Sequence, residues 1–261
     1  MRIARFSVGD RVAFGVVEEA GAGRIDGPLV APIPGHPFGP IEPSDVRVPL
    51  ADVRLLAPVL PSKVIGVGRN YADHAQELGN EVPAEPLLFL KPSTSVIGPS
   101  DGIVYPRQSS DVQHEAELAI VIGRLCREVP RERVADVVLG YTCGNDVTAR
   151  DLQETDGQWA RAKGFDSFCP LGPWIETDLD PSDVAITCTV GEELRQAGRT
   201  KQMVHDVAAL VSYISEAFTL LPGDVILTGT PAGVAQLSVG DEVSVSVEGV
   251  GTLTNRVVVR D

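Results

Sequence analysis

The stretch HEAELAIVIG, residues 114–123, sets two glutamates one residue apart at the start of an aliphatic run. Three consecutive β-branched residues and the glycine that closes the run predict a buried strand over residues 116–123. Side chains alternate across a strand and each residue advances it by about 3.3 Å, so Glu115 and Glu117 share one face with their roots about 6.6 Å apart. Two carboxylates placed together beside an apolar run repel each other unless they share a proton or a cation lies between them.

A third carboxylate that can join this pair is Asp146, which follows Gly144 and Asn145 in YTCGNDVTARDLQ, residues 141–153. Small and polar residues of this kind are typical of a strand end that opens onto a site. Three carboxylates without nearby thiols favour a hard cation, Mg²⁺, Mn²⁺ or Ca²⁺, which takes oxygen ligands. From the residues alone two interpretations stay open, a metal site or a structural cluster bridged by Arg or Lys.

The composition describes an acidic globular chain. Its 261 residues are 43% hydrophobic, enough to form one large domain or a large and a small one, and its formal net charge is −14. That charge argues against a nucleic-acid or anionic-membrane partner, because both are bound through clustered Lys and Arg. No window approaches the roughly 20 apolar residues of a membrane span, and no leader is evident, so we expect a cytoplasmic protein. The four cysteines are widely spaced, which predicts free thiols.

The chain divides into two regions of different texture. Residues 1–56 alternate short apolar pieces with turn-rich stretches and predict a small amino-terminal β domain, followed by a linker over 57–62. Residues 63–261 are predicted to form a larger, mixed α+β domain that is rich in strands and has few helices. The predicted strands of this larger domain are KVIGVG, PLLFL, GIVYP, ELAIVIG, DVAITCTVGEELRQAG, DVILTG and DEVSVSVEGVGTLTNRVVV, with hairpin turns at Gly191-Glu192 and Glu248-Gly249.

Two helices are predicted in the larger domain. The longer one covers Lys201–Leu220, where apolar residues recur at helical spacing. The shorter one covers Tyr71–Leu78, with Asn70 as its N-cap. It places His74 and Glu77 three residues apart on one face, where the carboxylate can orient the imidazole and favour a proton-accepting role.

Six motifs in a fixed order carry a family resemblance. They are GRNYADHAQELG (68–79), LLFLKPSTSVIGP (87–99), HEAELAIVIG (114–123), GYTCGNDVTARDLQ (140–153), DGQWARAKGFDSFCPLGPWI (156–175) and PGDVILTGTPAG (222–233). Together they resemble the fumarylacetoacetate hydrolase family over nearly all of residues 60–261. The resemblance implies a β-sandwich roll, a homodimer, and a Mg²⁺ or Mn²⁺ ion that serves small 2-oxo or enol acid substrates. Residues 1–56 resemble the small extra module of the family's bacterial diacid isomerases and decarboxylases.

Carried over to matching positions, the resemblance implies roles for nine residues. The implied set comprises the metal ligands Glu115, Glu117 and Asp146, the catalytic residues His74, Glu77 and Lys163, and the substrate-binding residues Arg150, Gln153 and Thr230. The fumarylacetoacetate-cleaving members have a further upstream acidic ligand with no counterpart in this sequence. Fumarylacetoacetate itself is therefore not the expected substrate.

The expected function is a reaction of a 2-oxo or enol diacid through an enolate that a divalent metal stabilises. Hydrolysis of a carbon–carbon bond in an acylpyruvate, with release of pyruvate, is the first expectation. Isomerisation of 2-hydroxyhepta-2,4-diene-1,7-dioate and decarboxylation of oxaloacetate need the same intermediate and are the alternatives. A protein of another class, a non-catalytic metal-stabilised binding protein, is the contrasting hypothesis.

Overall fold

The computed structural model describes residues 1–19 and 27–259. Within those ranges the strands are β1 Arg2–Val8, β2 Arg11–Glu18, β3 Leu29–Ile33, β4 Val48–Pro49, β5 Arg54–Leu56, β6 Val64–Gly68, β7 Leu87–Lys91, β8 Val96–Ile97, β9 Gly102–Val104, β10 Val112–Gln113, β11 Ala116–Ile122, β12 Val138–Asn145, β13 Thr148–Ala149, β14 Cys169–Glu176, β15 Ala185–Val190, β16 Glu193–Arg199, β17 Val225–Leu227, β18 Glu242–Val247 and β19 Gly251–Val258. The α-helices are α1 Ala72–Glu77, α2 Arg150–Asp156, α3 Ala160–Gly164 and α4 Val207–Ala217. None of these four helices is long and apolar enough to cross a bilayer. The predicted β-rich α+β class is confirmed.

The strand that follows the first glutamate, β11, lies inside the larger of two main sheets. The strand order of this sheet is β4-β3-β2-β1-β14-β12-β11-β17-β6-β7, with β5 on β1 and β8 on β14. All seven residues of β11 are buried, which suits its aliphatic and β-branched run, because a central strand is covered on both faces. The strands of the amino-terminal region join the same sheet through β1 and β14, where Ile3 pairs with Ile175. The amino-terminal region is thus built onto the sheet that carries β11.

The second main sheet has the order β16-β15-β18-β19-β9. Its hairpins turn where the sequence predicts, between β15 and β16 and between β18 and β19. Gly191 and Gly249 in these turns have φ angles of 57° and 80°, which glycine adopts without a Cβ penalty. Apolar side chains of both sheets share one core, which includes Leu118, Ile120, Ile186, Val245 and Leu253.

The helix predicted over Lys201–Leu220 is shorter than expected. It begins only after Asp206, whose side chain accepts a hydrogen bond from the N–H of Ala209 and so caps α4. Residues 200–202 form a 3₁₀ turn, and Val204, which follows the apolar spacing, is exposed. Both predicted ends were wrong, because apolar residues continue at helical spacing on either side of α4, at Val204 and Phe218, where the chain is no longer helical.

The short helix α1 differs from its prediction at its cap. Tyr71 occupies the N-cap position, and its side chain makes no capping hydrogen bond. Asn70 was wrongly predicted for that position. Its amide instead donates to the carbonyls of His205 and Thr228, and its oxygen accepts from the N–H of His205. Backbone groups distant in sequence have replaced the local capping bond, and they tie Asn70, just after β6, to the segment before α4 and to the residue after β17.

The four cysteines are free, as predicted, and three of them are buried. Burial raises the pKa of Cys143, Cys169 and Cys188 to about 12. These thiols are therefore protonated at neutral pH and pack as small apolar side chains.

Candidate active site

Three buried carboxylates meet where β11 begins and β12 ends. Ala116 of β11 pairs with Asn145 of β12, and the N–H of Asp146 donates to the carbonyl of Glu115 over 2.9 Å. One oxygen from each of Glu115, Glu117 and Asp146 lies within 4.8 Å of the other two, and no member of the trio is more than 4% exposed. The structure thus brings together the three acids that strand alternation and the family motif indicate.

Three cationic side chains enter this carboxylate cluster. Lys163, from α3, donates to Glu115 Oε2 and to Asp146 Oδ2, each over 2.6 Å. Lys91, the last residue of β7, donates to Asp146 Oδ1, and Arg150, the first residue of α2, donates to Glu115 Oε1 over 2.6 Å. Burial alone would raise the pKa of Glu115, but the charges of Lys163 and Arg150 outweigh it and hold that pKa well below its usual range. Bridging by Lys and Arg, which the sequence left open, is therefore present for two of the three acids.

Glu117 is the carboxylate that this bridging leaves out. Among residues 1–19 and 27–259 it has no ion-pair partner, and its Oε2 accepts one hydrogen bond, from the N–H of Gly229 over 2.6 Å. Burial raises the pKa of Glu117 well above its usual range, and the charges of Asp146 and Glu115 raise it further. The ionised form of this side chain is therefore short of positive charge.

The cluster fits a divalent cation. Its donors are three carboxylates, which are hard oxygen ligands of the kind that Mg²⁺, Mn²⁺ and Ca²⁺ prefer. A cation beside Glu117 would supply the charge that Lys91, Lys163 and Arg150 do not. Ion pairs with Lys and Arg thus neutralise Glu115 and Asp146, and the negative charge of Glu117 is the part of the cluster that a cation would still have to neutralise.

Helix α1 carries the predicted histidine–glutamate pair. His74 is 5% exposed, and its Nδ1 lies 3.2 Å from Glu77 Oε2. Glu77 also accepts a hydrogen bond from the N–H of Gly233 over 3.0 Å, so the loop after β17 holds the carboxylate in place. Because Nδ1 is engaged by Glu77, Nε2 is the ring nitrogen left for another partner. This contact fixes the orientation of the imidazole.

A cavity of about 270 Å³ joins these groups, and every predicted site residue except Glu77 lines it. Arg150 Nη1 donates to Gln153 Oε1 over 2.5 Å, so these two predicted binding residues support each other. The hydroxyl of Thr230 donates to the carbonyl of Ala116 over 2.8 Å and accepts from the Gln196 amide over 2.7 Å. These bonds hold the Thr230 loop against β11 and β16 and occupy the hydroxyl.

Sequence reasoning missed four residues of this site, namely Lys91, Arg69, Trp159 and Gly229. A signal existed for Lys91, since it is a charged residue inside the motif LLFLKPSTSVIGP, at the end of a predicted apolar strand. The other three also lie within the six motifs, and the glycine-rich TGTPAG stretch is typical of a backbone that approaches a ligand closely. Their individual contacts at the site became visible only in the tertiary structure.

The fold is rich in strands and carries a cavity lined by buried acids. Comparison with known proteins identifies the family to which such a fold and site belong. A family model described as Fumarylacetoacetate (FAA) hydrolase C-terminal matches residues 63–258, and one described as Rv2993c-like, N-terminal matches residues 1–58. The chain therefore belongs to the fumarylacetoacetate hydrolase family, as its six motifs indicated. Members of this family are enzymes that include hydrolases, isomerases and tautomerases, so the prediction of an enzyme is confirmed.

Three relatives illustrate the range of reactions. The chain is similar to 5-carboxymethyl-2-hydroxymuconate delta-isomerase from Mycobacterium smegmatis, with 53% identity, a TM-score of 0.92 and full coverage of both chains. It is 44% identical to the mitochondrial oxaloacetate tautomerase Fahd2a of Rattus norvegicus over 223 residues, which are 81% of this chain and 71% of that protein. It is 34% identical, with a TM-score of 0.80 and full coverage of both chains, to maleylpyruvate hydrolase from Sphingobium sp. SYK-6 in complex with manganese (II) ion and pyruvate.

Proposed function

We propose that this protein is a divalent-metal-dependent enzyme that relocates a proton on a 2-oxo diacid, in a keto–enol tautomerisation or a double-bond isomerisation. The observation that carries the proposal is the shared cavity, where a buried imidazole oriented by Glu77 faces three carboxylates of which one lacks a cation. An acid–base group beside a candidate metal site is what enolate chemistry requires.

The metal part of the proposal rests on the donor set. Glu115, Glu117 and Asp146 would hold Mg²⁺ or Mn²⁺, and Ca²⁺ has the same oxygen preference. When bound there, such an ion would polarise the 2-oxo group of the substrate and stabilise the negative charge that develops on its oxygen.

The proton transfer is assigned to His74. Its Nε2 takes a proton from the carbon next to the 2-oxo group, and Glu77 at Nδ1 stabilises the imidazolium that results. The same nitrogen then returns the proton, either to the oxygen or to a carbon further along a conjugated chain. Starting from an enol, the transfer runs the other way: Nε2 takes the proton of the 2-hydroxyl and returns it to a carbon. The proton count balances, and no oxidant or water is consumed.

The cationic side chains are assigned to the anionic end of the substrate. Lys163 and Arg150 are buried beside the carboxylate cluster and place their positive charge where the substrate's carboxylate and 2-oxo oxygen would lie. Gln153 holds the Arg150 guanidinium through a hydrogen bond. Thr230 is assigned a positioning role, since its hydroxyl is occupied by Ala116 and Gln196.

Hydrolysis of an acylpyruvate, the first expectation from the sequence, is the second candidate. The observation that favours it is the likeness to a maleylpyruvate hydrolase that was solved with manganese and pyruvate. In that reaction His74 would activate water for attack on the distal carbonyl, and the broken carbon–carbon bond would release pyruvate. Proton relocation is placed first because the two relatives with higher identity are an isomerase and a tautomerase. Decarboxylation of oxaloacetate would pass through the same enolate.

The proposal also covers the domain organisation, the oligomeric state and the cellular location of the enzyme. All nine proposed site residues fall within residues 63–261, the proposed catalytic domain, while residues 1–56 form the proposed small domain. We further propose a homodimer in the cytoplasm that acts on a small molecule and binds neither nucleic acid nor membrane, consistent with a net charge of −14.

One substrate panel tests the proposal. Purified protein with Mg²⁺ is offered the enol form of oxaloacetate, 2-hydroxyhepta-2,4-diene-1,7-dioate, fumarylpyruvate and acetylpyruvate, while ultraviolet absorbance, pyruvate and CO₂ are followed. We expect loss of the enol or diene absorbance without release of pyruvate or CO₂, and inhibition by oxalate, which imitates the planar enolate. Pyruvate release from an acylpyruvate as the fastest reaction would favour the hydrolase, and fastest CO₂ release would favour the decarboxylase. No reaction on any of the four, with no oxalate inhibition, would refute the proposal.

A further inference from the structure

Three arginine and lysine side chains line the active-site cavity, and they differ in how far they are already paired. Lys163 donates to two carboxylates of the cluster, and all three side-chain nitrogens of Arg150 donate hydrogen bonds within the protein. Arg69 lines the same cavity, yet within residues 1–19 and 27–259 it has no ion-pair or side-chain hydrogen-bond partner. It is therefore the cavity cation that is free to pair with a ligand.

The guanidinium of Arg69 packs over an aromatic ring, which holds it in position. Its central carbon lies 6.0 Å from the centroid of the Trp159 ring, in a cation–π arrangement. The Trp159 ring in turn packs edge-on against Phe89, with centroids 5.4 Å apart. Gly68 makes room for the indole, since a Cβ at that position would meet Trp159 at 2.6 Å. Three neighbours on β6, β7 and the turn before α3 thus build a platform for one unpaired cation.

The backbone of Arg69 also directs the side chain. Its φ angle of 57° lies in the left-handed region, which a residue with a long side chain rarely adopts. The residue directly follows β6 and is half-buried at the cavity wall. Strain of this kind persists where surrounding contacts fix the conformation, and it often accompanies ligand-binding positions.

We propose that Arg69 selects 2-oxo diacids by pairing with the carboxylate that lies distal to the 2-oxo group. The inference rests on the proposed function and specifies its substrate class. A guanidinium that stacks on an aromatic face keeps its in-plane N–H groups free, and these match the two oxygens of a carboxylate. Lys163 and Arg150 lie at the carboxylate cluster, where the proposed function places the 2-oxo end of the substrate, so the second charge of a diacid falls to Arg69. A 2-oxo monoacid has no group for this pairing.

The test compares ligands that differ in one group and are not cleaved by the proposed chemistry. The two pairs are 2-oxoglutarate with 2-oxopentanoate and 2-oxoadipate with 2-oxohexanoate, in which a methyl group replaces the distal carboxylate. Binding to the Mg²⁺-loaded protein is measured by calorimetry. We expect the wild-type protein to prefer the diacid of at least one pair by about tenfold to a hundredfold, as for a partly exposed charge-assisted pair.

Two variants and one control locate that preference. Arg69→Gln keeps a side chain at the same φ angle but removes the charge, so the diacid preference should disappear. Arg69→Lys keeps the charge without the planar fork and should retain part of the preference. Arg133→Gln removes an arginine whose side chain is 69% exposed on a surface 3₁₀ turn, so it should leave the preference as in the wild type.

The outcomes distinguish a failure of the inference about Arg69 from a failure of the proposed function. Oxalate binds at the metal end and reports the site independently of Arg69. If oxalate binds but the wild type shows no diacid preference, or Arg69→Gln retains it, the inference about Arg69 is overturned while the proposed function stands. An equal loss for diacid and monoacid in Arg69→Gln would also overturn it, since that indicates a structural role. If neither oxalate nor any 2-oxo acid binds, both the inference and the proposed function fall.

Discussion

Two buried carboxylates, Asp224 and Glu117, lie at opposite ends of β11 and are surrounded in opposite ways. Asp224 accepts four hydrogen bonds, from the hydroxyl of Ser62, the backbone N–H and the ammonium of Lys63, and the N–H of Leu221. Glu117, by contrast, accepts one hydrogen bond from the described residues and has no ion-pair partner among them. The side chain of Asp224 is fully buried, and Glu117 is 1% exposed, so burial does not distinguish them.

The difference between these two acids separates a structural role from a functional one. A buried carboxylate whose oxygens are all paired joins chain segments and has no capacity left for a ligand. A buried carboxylate that lacks partners is costly to keep ionised, unless something outside the chain supplies the missing charge. The comparison therefore predicts that the same amide substitution has opposite consequences at the two positions.

The largest effect is expected from Glu117→Gln. The amide removes one anionic ligand, so turnover should be abolished and Mg²⁺ affinity should fall by more than about 100-fold, since even outer-shell partners of metal ligands are worth about 10- to 100-fold. Calorimetry with Mg²⁺ and the substrate panel measure both. The fold should survive, because the substitution removes an uncompensated charge. Unchanged Mg²⁺ affinity would show that Glu117 is not a ligand.

Asp224→Asn is the matched substitution at the saturated acid. It leaves the ammonium of Lys63, whose side chain is 22% exposed, without its charged partner and turns amide hydrogens toward donors, so we expect a loss of about 1–3 kcal/mol of unfolding free energy. Denaturant unfolding measures this loss. Turnover per folded molecule should stay near the wild-type value, because Asp224 lies outside the cavity. A stable variant with lost activity would reverse the assignment of the two acids.

His74→Ala tests the second cavity group with spare capacity, the Nε2 atom. We expect turnover to fall by about 100-fold or more, which is the usual contribution of a positioned general base, while Mg²⁺ affinity is retained. A steady-state rate and a calorimetric titration on the same preparation separate the two quantities. Normal turnover would assign the proton transfer to another residue.

The smallest effect concerns the pH dependence of stability in metal-free protein. The pKa of Glu117 is raised in the folded state by burial and by the charges of Asp146 and Glu115. The folded state therefore holds this proton to higher pH than the unfolded state, so stability falls as pH rises above the usual glutamate pKa of about 4.3. Glu117→Gln removes that term, and its advantage over the wild type in unfolding free energy should grow as pH rises from 4 to 8. Saturating Mg²⁺ should remove the advantage. A constant difference across this range would contradict the uncompensated charge.

Local patterns predicted most of the strands correctly and the helix ends poorly. A β-branched run or a hairpin glycine acts over a few residues, so β11 and the two hairpin turns could be placed from the sequence. The start of α4 depended on the Asp206 cap, and Asn70 chose distant carbonyls over a local cap. The Asp206 cap is a local hydrogen bond that apolar spacing does not reveal, whereas the Asn70 bonds are long-range ones that replace a local cap.

The sequence by itself determined the β-rich class, the shared face of Glu115 and Glu117, and the spacing of His74 and Glu77, because each depends on the period of one strand or helix. Only the tertiary structure decided which of the clustered acids are neutralised by Lys and Arg and which one is not. That outcome depends on the register of β11 against β12 and on the packing of α2, α3 and β7 around them, which brings charges together from distant parts of the chain. The same packing sets Arg69 on an indole ring that is remote in sequence, so the unpaired cation of the cavity is a property of the fold.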